Sequence, residues 1–205
     1  MNAPASAIYR PADWLTQFNW VEMFGNDRPV EVEIGCGKGG FLIWSARTFS
    51  DRNFLGVERQ LDRLRRVDKK TQRAGLTNVR LLRIEAGYLV ARLVRPESVA
   101  AYHVLFPDPW PKRRHHGRRL FSAAFVEEVS RTLAPAGYVN VATDHDEYEE
   151  WIRREMRVSR MFKEVPPVTL PVEARTEFER IFLATEKPIH RSRWQKCTTE
   201  SARAN

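Results

Sequence analysis

Residues 30–34, Val-Glu-Val-Glu-Ile, alternate apolar and acidic positions with the two-residue period of a strand. A glycine-rich run, 35–40, follows, and Phe41-Leu42-Ile43-Trp44 then opens an apolar segment suited to a helix. The order is strand, glycine turn, helix. Residues 53–57 predict a second strand, and 60–74 a helix with Leu61, Leu64 and Val67 on one side, stopping near Gly75. Residues 79–84 and 102–106 read as further strands. Ser122 predicts the N-cap of a helix carrying Phe125, Val126, Val129 and Leu133, ended by Pro135 and Gly137. Residues 138–142 return as a strand. The next helix is expected to begin near Asp144 with five acids and to finish with Arg153, Arg154 and Arg157, an order that complements the helix dipole. Pro166, Pro167 and Pro171 break the chain before 177–183, which read as a late strand, and 184–205 are polar enough to predict a peripheral tail.

Regular alternation of strand and helix predicts an α/β fold, a mostly parallel sheet with helices on both faces and ligands beyond the carboxyl ends of the strands. The length of 205 residues fits one domain, 1–205. No apolar run approaches the ~20 residues of a membrane span, and residues 1–10 lack the basic and apolar regions of a secretion signal, so the expectation is cytoplasmic. Cys36 and Cys197 alone exclude a disulfide framework and a cysteine-rich zinc site. No metal site is expected. Net charge is +8 and the pI about 9.9, a balance that points to a polyanionic partner.

Gly35-Cys36-Gly37-Lys38-Gly39-Gly40 matches G-x-G-x-x-G between a strand and a helix, the context in which glycines let backbone approach a ligand closely. Glu58 ends the second strand, where a carboxylate can accept from both ribose hydroxyls of an adenosine-containing cofactor. Glu33 narrows the choice. A negative group two residues before Gly35 opposes a pyrophosphate and suits the ammonium of S-adenosylmethionine. None of the five tyrosines has Lys four residues later, so one common reductase device is missing. Glu31 is expected to face solvent.

Phe106-Pro107-Asp108-Pro109-Trp110-Pro111 ends another strand, and its prolines restrict Asp108 to extended backbone beside the expected cofactor crevice. Lys112, Arg113, Arg114, Arg118 and Arg119 then place five cations in eight residues without an acid, which reads as a phosphate-binding loop. His115 and His116 lack a zinc-ligand spacing. Arg59, Arg63, Arg66, Lys70 and Arg73 form a second basic stripe at helical spacing, for which a solvated face is an equal reading.

Together, 32–39, Gly56-Val57-Glu58, 106–112, Ala142-Thr143-Asp144 and Thr176-Glu177-Phe178-Glu179-Arg180 resemble the bacterial tRNA (guanine-N7-)-methyltransferases, in order over most of the chain. The resemblance implies a class I S-adenosylmethionine-dependent, Rossmann-like methyltransferase, with S-adenosylmethionine as donor and the variable-loop guanine of tRNA, position 46, as acceptor. It places Glu33, Gly35, Gly37, Glu58, Glu85 and Asp108 at the cofactor, with Asp108 also catalytic. Lys112, Asp144, Thr176, Glu177, Phe178 and Glu179 fall on substrate-binding positions, and Arg113, Arg114, Arg118 and Arg119 are expected on the RNA backbone. Glu85 stands where the family usually has Asp, and Glu177 where it usually has Lys. Two other readings stand beside this one: a nicotinamide-dependent oxidoreductase, and a non-catalytic RNA-binding module. Neither a membrane nor an obligate protein partner is inferred.

Overall fold

The computed structural model describes residues 5–197. Short α1 (Trp20–Phe24) precedes β1 (Val30–Ile34), α2 (Gly40–Thr48), β2 (Asn53–Val57), α3 (Leu61–Arg73) and β3 (Val79–Leu82). Next come α4 (Ala86–Tyr88), running into a π-helical turn at Leu89–Leu93, then β4 (Val99–Leu105), α5 (Ala123–Thr132) and β5 (Leu133–Thr143). α6 (Asp146–Val158), β6 (Phe162–Val165), α7 (Glu177–Ala184) and β7 (His190–Lys196) complete the order. The seven strands form one sheet, β3-β2-β1-β4-β5-β7-β6. β1 to β5 pair in parallel, and β7 is antiparallel to both β5 and β6.

Both faces are covered, as a sheet whose central strands are wholly buried requires. Val30, Val32 and Ile34 pack with Leu93, Val126, Val129, Ile152 and Met156 on the side of α5 and α6. Leu42, Ala46, Leu64 and Val67 of α2 and α3 cover Phe54 and Leu81 on the other. The alternation of β1 therefore sends Glu31 and Glu33 toward α2, not toward water. Glu31 was expected to be solvated; it is buried because α2 covers that face. Its charge is compensated by His103, 2.8 Å away on β4, and by Arg52. Burial pushes its carboxyl up, but the hydrogen bonds and charges of His103 and Arg52 outweigh that and hold it below the usual carboxylate range.

Several boundaries differ from expectation. Ser122 does cap α5, accepting from the Phe125 N–H at 3.3 Å. Pro135 and Gly137, however, do not end the helix; it stops at Thr132, and both residues lie inside β5. The β4–β5 register jumps between Val99↔Leu133 and Ala101↔Tyr138, so the intervening residues bulge out of the ladder. At Gly137 a Cβ would lie 2.8 Å from the Ala100 carbonyl oxygen, which leaves room only for glycine. Helix α6 starts at Asp146, capped by His145, two residues later than expected.

Residues 177–183 are helical, not a strand. Thr176 supplies the N-cap, its hydroxyl accepting from the Glu179 N–H at 3.1 Å, and this local device prevails over an ambiguous pattern. The polar segment 184–205 is not peripheral as far as it is described. Its β7 sits between β5 and β6, burying Trp194 and Ser192 against the sheet and completing the backbone hydrogen bonds of both neighbours. Residues 198–205 lie outside the described part.

Candidate functional site

The carboxyl ends of the parallel strands open into one cleft of about 1490 Å³. Its floor is the loop between β1 and α2. Gly35 and Cys36 both donate to the Val57 carbonyl at 2.9 Å, and Gly39 donates to the Cys36 carbonyl at 2.7 Å. Gly39 has φ of +73°, and a Cβ there would come within 2.7 Å of the Val67 side chain on α3. This glycine therefore serves the turn and the close packing of α3 at once.

Glu33 enters the cleft from the end of β1, only 3% exposed, and its Oε2 has no hydrogen-bond partner. Burial pushes its carboxyl up to about 8, outweighing the opposing hydrogen bond of the Leu42 N–H, and the charge of Glu58 adds a smaller upward effect. A buried carboxyl oxygen without a donor is costly, and it has the chemistry to receive a cationic N–H from a ligand. Glu58, at the end of β2, is also buried; its Oε1 accepts from the Gln60 N–H at 2.9 Å, and its Oε2 stands 3.9 Å from Arg63. Glu85 reaches the cleft after β3 as the N-cap of α4, with one oxygen on the Tyr88 N–H at 2.8 Å.

Asp108 projects from the turn after β4 and is exposed in the cleft. Phe106 and Trp110 flank it with φ of +58° and +45°, each immediately before a proline. Left-handed backbone at bulky residues costs roughly 1–3 kcal/mol each and needs an external clamp. Arg119 supplies it. Its Nε donates to the Pro109 carbonyl at 2.9 Å and its Nη2 to Glu147 at 3.0 Å, while the guanidinium lies 4.8 Å from the Trp151 ring and 5.2 Å from Tyr148. That side chain is 1% exposed, so Arg119, expected on the RNA backbone, holds the proline turn instead. Lys112, Arg113, Arg114 and Arg118 are exposed on or beside a 3-10 turn, Arg113–Arg118, and Arg118 stacks 5.0 Å from the Trp110 ring. Arg118 lines the cleft; Lys112, Arg113 and Arg114 lie beyond its rim.

The far wall joins Asp144 to the start of α7. Asp144 lies 3.3 Å from Lys187, whose ammonium sits 4.8 Å from the Phe182 ring. Thr176, Glu177 and Phe178 line the same wall. Glu177 pairs with Lys38 of the glycine loop, which ties α7 across the cleft floor. The expected substrate role of Glu179 does not match its placement: it is buried, pairs with Arg191 and stands 3.6 Å from Arg175. The structure thus brings Glu33, Gly35, Gly37, Glu58, Glu85, Asp108, Asp144, Thr176, Glu177 and Phe178 to one cleft, with Arg119 buried in its wall as the clamp of the proline turn and Glu179 behind it as a support. Lys38, Phe182 and Lys187 went unassigned in the sequence. Phe182 and Lys187 sat in a stretch read as strand and tail, where the helical spacing of Phe178 and Phe182 was the available signal.

The family described as "Putative methyltransferase" matches residues 27–192. A curated relative from Syntrophotalea carbinolica, named tRNA (guanine-N(7)-)-methyltransferase, is 32% identical over 90% of this chain and 78% of its own length. One of the same name from Rubrobacter xylanophilus is 30% identical over 90% of this chain and 84% of its own. Among solved structures, the 16S rRNA methyltransferase KamB superimposes with a TM-score of 0.66 at 17% identity, over 87% of this chain and 93% of that one, a likeness of fold.

Proposed function

The chain belongs to the tRNA (guanine-N(7)-)-methyltransferase family, and from that footing we propose how its cleft methylates guanine N7 in tRNA, with the variable-loop guanine 46 as target. S-adenosylmethionine, when bound, supplies an electrophilic methyl group on a sulfonium. The residues present fit it: Glu33 offers an unpartnered buried oxygen to an ammonium, Glu58 a carboxylate to ribose hydroxyls, and the glycine loop a close backbone surface. Membership in this family sets the nicotinamide and non-catalytic readings aside.

Guanine N7 is already a lone-pair acceptor, so no residue has to remove a proton before attack. The work of the chain is to align and to stabilise. Glu33 and Glu58 fix one reactant at the strand ends, and Asp108 faces the other from a turn that Arg119 locks in place. Positive charge moves onto the guanine ring during transfer, and a fixed carboxylate lowers the energy of that cation without reorganising. The same oxygens can accept from guanine N1–H and N2–H and so set its orientation. In A-form RNA the groove carrying N7 is deep and narrow, so the target base must be displaced into the cleft. Phe178 and Phe182 stand on that wall, their rings 6.1 Å apart.

The observation that carries this reading is the single cleft in which Glu33, demanding a cationic ligand, and Asp108, clamped in strained backbone, face the same space. Labelled methyl transfer from S-adenosylmethionine to bulk tRNA should yield 7-methylguanosine, and a tRNA with adenine at position 46 should lose it. Methylation that persists on the altered tRNA would refute the position. The proposal includes a cytoplasmic location and no need of a protein partner, both checked by activity of the purified chain alone and by cell fractionation.

A further inference from the structure

Helix α3 carries charge of one sign along its outward flank. Arg63, Arg66, Lys70 and Arg73 follow at intervals of three and four, and Arg59 extends the row to the cleft, where Arg59 and Arg63 form part of the wall. Arg59, Arg66, Lys70 and Arg73 are exposed, and among the described residues none of these four has a carboxylate within ion-pair distance. The two acids of the helix are engaged elsewhere. Asp62 faces Arg65 at 3.7 Å; Asp68 is buried and accepts from Ser6, the Ala7 N–H and Gln72.

Helix α6 provides the contrast inside the same molecule. It is also 13 residues long, yet its Arg153, Arg154 and Arg157 all meet carboxylates of Glu149, Glu155 or Glu164. That is how a solvated helix face is ordinarily balanced. Like charges three and four residues apart weaken a helix, so the row on α3 is unfavourable for folding and calls for an anionic partner. From Arg63 to Arg73 the row extends about 15 Å, enough to follow several nucleotides of a phosphate chain.

We infer that the Arg59–Arg73 flank of α3 is a second track for the tRNA phosphate backbone, on the other side of β1 from the Arg113–Arg118 turn, so that RNA is gripped on both sides of the cleft. This rests on tRNA being the substrate. Each phosphate contact releases counterions, and its loss flattens the dependence of log K on log salt by roughly 0.7–0.9. The variant R66Q/R73Q keeps helix propensity nearly unchanged and touches neither the glycine loop nor the cleft wall. In tRNA binding across a salt series its slope should fall by about 1.4–1.8. S-adenosylmethionine affinity by calorimetry should not change. R157Q on α6 should leave the slope as it is. If the double variant melts early, R66Q and R73Q singly should each give half the effect.

An unchanged slope in R66Q/R73Q, with wild-type protein still forming 7-methylguanosine in tRNA, overturns the second track and leaves the function standing. A reduced slope with no 7-methylguanosine formed by wild-type protein supports the track and overturns the assigned reaction.

Discussion

Glu33→Gln should stabilise the ligand-free protein while abolishing donor binding. A carboxyl that titrates near 8 in the folded chain and near 4.5 when unfolded holds its proton in the native state across that window, whereas the unfolded chain releases it. Stability therefore falls as pH rises from 4.5 toward 8 and levels off above, where both states are ionised. At pH 7 the two values differ in their effect by about 3 kcal/mol, at 1.36 kcal/mol per pKa unit, and by under about 1 kcal/mol at pH 5. Gln removes the ionisation and keeps the shape. Its amide needs donors satisfied in a place that provides few, so the net gain expected at pH 7 is on the order of 1–3 kcal/mol. For a chain of this length that is a rise in Tm of roughly 3–10 °C. Thermal melts of both proteins at pH 5, 7 and 8, with and without saturating S-adenosylmethionine, measure it. The gap between variant and wild type should widen with pH, and the ligand should raise Tm in the wild type only. A variant no more stable than wild type at pH 8, or a gap that does not narrow at pH 5, refutes the argument that Glu33 is held at a cost for its ligand.

Glu58→Ala should weaken S-adenosylmethionine binding and leave tRNA affinity nearly unchanged, because a ribose carboxylate touches only the donor; equal donor Kd removes Glu58 from the site. Asp108→Asn keeps size and removes charge, so single-turnover transfer at saturating donor should fall by ~10²–10³-fold with tRNA binding retained. A near-normal saturated rate would leave Asp108 as a turn residue. Arg119→Gln loses buried contacts to Pro109, Trp151 and Tyr148 and should cost on the order of 2–4 kcal/mol in stability, slow transfer, and leave the salt slope of tRNA binding alone. R113Q/R114Q/R118Q should do the reverse, flattening the slope by roughly 2–3 while Tm holds. Swapped outcomes would restore Arg119 to the RNA surface.

The local signals in the chain decided a good deal. Period-two alternation located β1, a short apolar run located β2, the glycine run located the turn beneath the cleft, Ser122 marked the start of α5, and prolines around Asp108 announced a pinned carboxylate. Each of these rests on φ/ψ limits or hydrogen-bonding capacity within a few residues, which is why each was legible. The assignments that only the tertiary structure decided all depend on what lies across a sheet or a cleft. Glu31 alternates in sequence like a solvated residue, yet α2 covers that face and His103 and Arg52 neutralise it. Arg119 reads as one more cation in a basic loop, and only the indole of Trp151, the phenol ring of Tyr148 and the Pro109 carbonyl, gathered from distant elements, turn it into a clamp. Residues 190–196 look like a tail because only Ser192 and Trp194 among them are buried and the remaining side chains are polar and partly exposed; their backbone partners on β5 and β6 make it a strand. Charge sign and spacing are properties of the chain, but whether a charge meets a partner, a ring or water depends on segments remote in sequence, and only the fold brings those together.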